Sequence, residues 1–182
     1  MRLSVLGMGS EGFEGVSPGT VRALVDAAIE GGINLFDLYN SNPVTRRNLG
    51  LALKGRREQV YIEGHLCSAF AHNQYYRTRS MPVVRKSFEE LLSLLDTDYV
   101  DIGMIHYVDS MEDFARVFSG EVIQYARELK SRGIIRHIGL SSHNPVVARK
   151  AVETGDVEVL LFSINPAYDM LPASEHVESL WA

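Results

Sequence analysis

Asp37, His65 and His106 are the residues of this sequence whose types and positions best suit joint chemistry. Each lies at or just beyond the end of an apolar run. Asp37 closes Gly-Ile-Asn-Leu-Phe-Asp (32–37), His65 follows the strand pattern Val60–Glu63, and His106 closes Tyr-Val-Asp-Ile-Gly-Met-Ile-His (99–106). An imidazole titrates near about pH 6.5 and exchanges a proton without special tuning. A carboxylate beside it orients the ring and favours its charged form. Asp37 makes poor core filling, because a buried unpaired carboxylate is costly, so it reads as functional or site-supporting. The same three residues could offer zinc two imidazoles and one carboxylate with an open position. Their spacing matches no ligand motif, so the leading reading has no metal.

Other reactive side chains have plainer readings. Tyr39 packs beneath the loop after Asp37. Ser142-His143-Asn144-Pro145 leads into a helix cap, which accounts for His143. Cys67 has no cation at helical or loop spacing and reads as a quiet thiol. Arg77 and Arg79, with Tyr75 and Tyr76, form a basic aromatic loop face open to solvent. Gly7-Met8-Gly9-Ser10-Glu11-Gly12 has the spacing of a dinucleotide loop, but no helix opens within it, and the match is weak.

The elements that must position these residues alternate along the chain. Strand patterns cover Leu3–Met8, Ile33–Asp37, Val60–Glu63, Tyr99–Ile105, Ile135–Leu140 and Val157–Ile164. Between them lie helical stretches: one opened by Ser17-Pro18 with the face Val21, Leu24, Val25 and Ala28, then Pro43–Leu53 and Met81–Leu95. Two more follow, about 110–132 with a break near Ser119-Gly120, and Pro145–Thr154. Positions 64–80 read as a long loop. Near-continuous Val, Ile and Leu strands belong to a parallel sheet buried on both faces. The expected fold is α/β: a parallel (β/α) barrel, incomplete, with about six βα units in a single domain over 1–182. In such barrels the chemistry gathers at the carboxyl ends of the strands.

Composition narrows the partners. The chain has 182 residues, 46% hydrophobic and 23% charged, with a formal net charge of −5. Charges of both signs are mixed, which argues against a nucleic-acid surface. Apolar runs fall short of the roughly 18 residues a membrane span needs. Cys67 is the single cysteine, so no intrachain disulfide forms, and a cytoplasmic setting is expected.

The sequence resembles the aldo-keto reductases, in a branch of bacterial oxidoreductases. The resemblance rests on 32–37, on Asp-Tyr-Val-Asp-Ile-Gly-Met-Ile-His (98–106), on Gly-Ile-Ile-Arg-His-Ile-Gly-Leu-Ser-Ser-His (133–143) and on Asn-Pro-Ala-Tyr (165–168), in that order. It implies an eight-stranded barrel cut short after six strands, with NADP(H) as cofactor and a small-molecule carbonyl substrate. Of the family's Asp, Tyr, Lys and His, Asp37 and His106 match; Asn42 stands at the Tyr position and His65 at the Lys position. The resemblance places Ser141, Ser142 and Asn165 at the nicotinamide amide. It therefore implies carbonyl/alcohol redox chemistry, altered or lost in this chain, with His65 or Tyr39 as stand-ins for the Tyr/Lys pair. A catalytically silent barrel binding cofactor or partner is the alternative, and a metal-dependent lyase or hydrolase using Asp37, His65 and His106 is the second. Six strands cannot close an eight-stranded barrel, so Leu3–Met8 and Val157–Ile164 would leave open edges, and a homo-oligomer covering them is expected.

Overall fold

A computed structural model describes residues 1–164. Six parallel strands form one sheet, and a two-stranded hairpin sits beside it. In chain order these are β1 (Gly7–Gly9), α1 (Pro18–Glu30), β2 (Leu35–Leu38), α2 (Pro43–Leu53), β3 (Tyr61–Leu66), β4 (Ser68–Ala71) and β5 (Gln74–Arg77). There follow α3 (Met81–Leu95), β6 (Val100–Ile105), α4 (Met111–Phe118), α5 (Glu121–Ser131), β7 (Ile135–Ser142), α6 (Pro145–Glu153) and β8 (Val159–Phe162). The sheet order is β1-β2-β3-β6-β7-β8, with every neighbouring pair parallel. This is the incomplete parallel barrel that the alternating pattern implies.

Helix starts are specified by side chains that satisfy the free N–H groups of the first turn. Ser17 accepts from the Thr20 N–H, Asn42 from Val44, Ser110 from Asp113, and Asn144 from Val146 and Val147. Proline follows the cap in α1, α2 and α6. Asn42, at the position where the resemblance expects a tyrosine, thus serves as a helix cap. On α1 Val21, Val25 and Ala28 are buried, while Leu24 is exposed. Arg46 on α2 is fully buried and donates to the Ser87 carbonyl of α3 at 2.9 Å.

The layer between sheet and helices holds Phe36, Leu38, Ile62, Leu66, Ile105, Ile138 and Leu140, among others. Since strand side chains alternate, Asp37, Glu63, His65, Ile102 and Met104 turn to the opposite face. Two glycines allow bulky neighbours on adjacent strands. A Cβ on Gly103 would meet the Ile135 side chain at 2.6 Å, and one on Gly139 would meet Ile102 and Met104 at 2.8 Å.

Three boundaries differ from the sequence pattern. The first strand spans only Gly7–Gly9, and Val5 and Leu6 are exposed. Ser4 is held instead by Asn34: its N–H donates to Asn34 Oδ1 at 2.7 Å, and its Oγ accepts from the Asn34 N–H at 3.0 Å. The last strand is Val159–Phe162, shorter than the apolar run. The stretch 64–80 is not a long loop. It finishes β3 and then folds into β4 and β5, turning at His72 and Asn73, both with positive φ (51° and 59°). Two successive left-handed residues suit the twist of a two-residue hairpin.

At the start of β6, Asp101 is an electrostatic knot. Its side chain is 1% exposed and accepts from Arg57 and Arg136 at 2.8 Å each, and from the Ile62 N–H at 3.0 Å. The two guanidinium groups also lie over the Tyr99 ring, at 4.3 and 4.2 Å from its centroid. Removing this carboxylate strands buried donors. Asp101→Ala should lower the unfolding free energy by about 3–5 kcal/mol, read from urea midpoints. Arg136, half exposed, should cost no more than about 1 kcal/mol when replaced by alanine. Equal losses from the two would refute the knot.

Candidate functional site

The ends of β2, β3 and β6 bring Asp37, His65 and His106 together. Asp37 pairs in register with Glu63, and His65 with Met104, while the His106 N–H donates to the Leu66 carbonyl at 2.9 Å. This pairing aligns the three side chains on one face. His65 Nδ1 lies 2.9 Å from His106 Nδ1, and His65 Nε2 lies 3.0 Å from Asp37 Oδ1. The Asp37 contact is close but off the line of a good hydrogen bond. Asp37 Oδ1, His65 Nε2 and His106 Nε2 are all buried without a hydrogen-bond partner among the described residues. They surround a cleft of about 330 Å³ that also includes Tyr39, Tyr75, Tyr107, Ser141, Ser142 and His143.

A single metal ion held by Asp37, His65 and His106 does not fit this arrangement. Both His65 nitrogens already face different partners, one toward Asp37 and the other toward His106, so the donors lie in a line rather than around a point. Among the described residues no group of three His, Cys, Asp or Glu is placed to hold a metal.

Burial sets the charges. His106 is pushed down to about 3, by burial first and then by His65, Arg79 and Arg77. The sequence suggested a proton donor near its ordinary pKa; at neutral pH this imidazole is instead uncharged. Tyr39 is pushed upward by burial and by Glu11, the wrong direction for a phenol replacing the family acid. Rather than packing beneath a loop, Tyr39 stacks parallel to the His106 ring, at 6.2 Å between centroids, with Tyr75 edge-on.

Several site groups have partners that the sequence did not signal. Arg79 is 4% exposed and pairs with Asp113 of α4 through two hydrogen bonds, 2.6 and 3.1 Å; it also donates to the His106 and Tyr107 carbonyls at 2.9 Å each. Arg77 bonds the same Asp113 and the Tyr107 carbonyl. The basic aromatic stretch does keep a solvated face, with Tyr75, Tyr76 and Arg77 exposed, while Arg77 and the buried Arg79 also clamp the backbone that carries His106. Arg79 also supplies the cation near Cys67 that spacing did not reveal. Burial wins there, pushing the thiol up and leaving it protonated. The stretch through His143 does lead into the α6 cap, which Asn144 supplies; His143 itself pairs with Asp109 at 2.9 Å and sits edge-on to Tyr107 at the cleft. Glu63, two residues below His65, is buried beside Asp37.

The nicotinamide-side residues are unequal. Ser141 lines the cleft. Ser142 Oγ donates to the Val108 carbonyl at 2.7 Å, so its hydroxyl serves the local loop. Asn165 lies outside the described residues.

Comparison with known proteins follows from this geometry. The model of the aldo/keto reductase family matches residues 5–180. The chain belongs to the aldo/keto reductase family. Among its relatives, the uncharacterized oxidoreductase YqkF of Bacillus subtilis is 25% identical over 167 residues, covering 90% of this chain and 53% of that protein. The NADH-specific methylglyoxal reductase of Escherichia coli is 30% identical over 143 residues, covering 71% of this chain and 43% of that enzyme. The solved structure of aldo-keto reductase AKR11C1 from Bacillus halodurans, in its holo form, superposes with a TM-score of 0.76 at 26% identity, covering 90% of this chain and 54% of that one. The chain spans about half the length of the curated relatives it matches. No helix among the described residues is long and apolar enough to cross a membrane.

Glu63 provides a test of the site's electrostatics. Its carboxyl is raised from 4.5 to about 7, by burial and then by Asp37. The folded chain thus keeps a proton that the unfolded chain releases, so this contribution to stability is complete below about 4.5 and is lost as the pH rises through about 7. His106 runs the other way: its contribution is complete above 6.5 and is lost as the pH falls toward about 3. Denaturation midpoints of Glu63→Gln and the unaltered chain, taken across this range, should differ increasingly in favour of the variant as pH rises. A constant difference would show that Glu63 does not titrate in this interval.

Proposed function

We propose that the cleft carries nicotinamide-dependent carbonyl/alcohol redox chemistry on a small molecule, altered because Asn42 and His65 stand where the family has tyrosine and lysine, which leaves His65 paired with His106. The observation that supports this most is the set of orphaned buried polar atoms around one cleft, Asp37 Oδ1, His65 Nε2 and His106 Nε2. Buried polar atoms ordinarily have partners, and a bound substrate oxygen supplies one. Asp37, His65 and His106 are the proposed catalytic residues, with Ser141 and Asn165 toward the nicotinamide and Ser142 supporting their loop. The cleft, with its orphaned polar atoms and Ser141 on its wall, suits the nicotinamide end of NADP(H), which supplies or accepts hydride when bound. The chain's own residues hold the substrate oxygen, place Tyr39, Tyr75 and Tyr107 beside it, and move its proton at His106 Nε2.

The remaining expectations belong to this reading: one barrel-type domain acting in the cytoplasm, on a small carbonyl compound or its alcohol. A homo-oligomer forms through the strands at the sheet edges, β1 and β8. Light scattering at micromolar concentration should then give a mass above that of one chain; a clean monomer would refute the assembly.

Cofactor-absorbance assays with aldehydes and NADPH test the chemistry. Losing a tuned proton donor costs about 10²–10⁴ in rate, so reduction should be slow by that margin. What remains should vanish in His106→Ala and survive in Asn42→Ser, which keeps the helix cap. The opposite pattern would refute the imidazole reading.

A further inference from the structure

We infer that Asp37, His65 and His106 form a directed proton chain ending in a bare lone pair on His106 Nε2, so that the resting site is a base built to take the proton of a substrate alcohol. This rests on the redox reading above and names its direction: alcohols, oxidised, rather than carbonyls, reduced.

The direction follows from two distances. Asp37 Oδ1 lies 3.0 Å from His65 Nε2. The contact is off the line of a hydrogen bond, yet a carboxylate oxygen this close repels a lone pair and attracts an N–H, so Nε2 carries the proton. A neutral imidazole has one N–H and one acceptor nitrogen, which leaves His65 Nδ1 as the acceptor. His106 Nδ1 lies 2.9 Å from it, so His106 donates there. Its proton is then committed to Nδ1, and Nε2 is left as an acceptor, buried and unpartnered among the described residues. The stacked Tyr39 ring and the edge-on Tyr75 and Tyr107 rings confine the imidazole in this orientation.

The charged and titratable groups around the pair agree with a neutral resting chain. Arg79 and Arg77 approach from the hairpin end and His143 from the loop after β7, all three disfavouring a cation on His106. From β2 come Asp37 and Tyr39, from β3 Glu63, and from β5 and the end of β6 Tyr75 and Tyr107.

The reaction balances with an oxidised nicotinamide as co-reactant. The carbinol C–H bond breaks, its hydrogen leaving with both electrons to the nicotinamide, which is reduced. The O–H bond breaks, its proton passing to His106 Nε2, and the C–O single bond becomes a carbonyl. As Nε2 takes this proton, His106 can release its Nδ1 proton to His65 Nδ1. The positive charge then rests on His65, beside the Asp37 carboxylate, where it is best stabilised. Asp37 is a positioning residue acting through His65, while His106 is the catalytic residue.

Long-range proton–nitrogen NMR on the full 15N-labelled chain at neutral pH reads the tautomers directly, with no cofactor present. His65 should carry its proton on Nε2 and His106 on Nδ1. In Asp37→Asn the amide can donate to His65 Nε2, so both rings should switch, placing the His106 proton on Nε2. A merely structural Asp37 would switch neither. A wild-type His106 protonated on Nε2 overturns the inference, and this holds even if the variant fails to fold. With oxidised nicotinamide and a panel of secondary alcohols, oxidation at neutral pH should exceed reduction of the matching ketones, and should fall by about 10²–10⁴ in Asp37→Asn. Faster reduction than oxidation would overturn the assigned direction. Expected tautomers with no hydride transfer either way would instead overturn the redox reading beneath it, together with the alcohol as substrate.

Discussion

Strand register is the constraint on which the rest of this molecule depends. The pairings Asp37 with Glu63 and His65 with Met104, continued by the His106 N–H on the Leu66 carbonyl, put one carboxylate and two imidazoles on a common face. A slip of one residue at β3 would turn His65 into the helix-packed layer and bring Gly64 to the cleft. The register is protected from the other side. Phe36, Ile62, Leu66 and Ile105 are buried under the helices, and a slip would exchange them for polar groups.

Burial and charge pull against each other at the cleft, and burial prevails. Desolvation first, and neighbouring charges second, hold His106 neutral and lift Glu63. The ionised groups are set apart from it. Asp113 with Arg77 and Arg79 lies behind the His106 backbone, and Asp101 with Arg57 and Arg136 lies at the far end of β6. Each of these carboxylates receives more than one donor, which makes burial of an ion tolerable. The cleft keeps its unpaired atoms for a ligand, while the framework leaves its ions few free.

Much of this was readable from the residues in order, because the strongest cues are local. Ser17-Pro18, Asn42-Pro43 and Asn144-Pro145 announce helix starts through backbone chemistry that needs no tertiary partner, and the six apolar runs announce the parallel strands. The strand-end positions of Asp37, His65 and His106 were equally plain. What escaped was whatever depended on a distant partner. The hairpin 68–77 lacks polar–apolar alternation, its strands reading Ser-Ala-Phe-Ala and Gln-Tyr-Tyr-Arg, and it turns on His72-Asn73 rather than on glycine. Arg79 finds Asp113 across 34 positions, and His143 finds Asp109 across the same interval. Arg46 looks like a solvent-facing helical residue and lies fully buried against Ser87. Glu63 alternates correctly for a cleft-facing residue, but its raised pKa comes from burial and then from Asp37, which only the folded chain reveals.

The paired small and large residues at Gly103 with Ile135, and at Gly139 with Ile102 and Met104, impose an order on how this sequence can change. A side chain gained at 103 collides with Ile135 until that residue has first become smaller, and position 139 waits in the same way on 102 and 104. Descendants of this sequence can therefore reshape the packing at these positions only by losing volume on one strand before gaining it on the next. Each such path passes through an intermediate with a cavity, which costs about 24 cal/mol for every Å³ left empty. Divergence at these strands is historically contingent: the residues a lineage can reach next depend on which shrinkage came first.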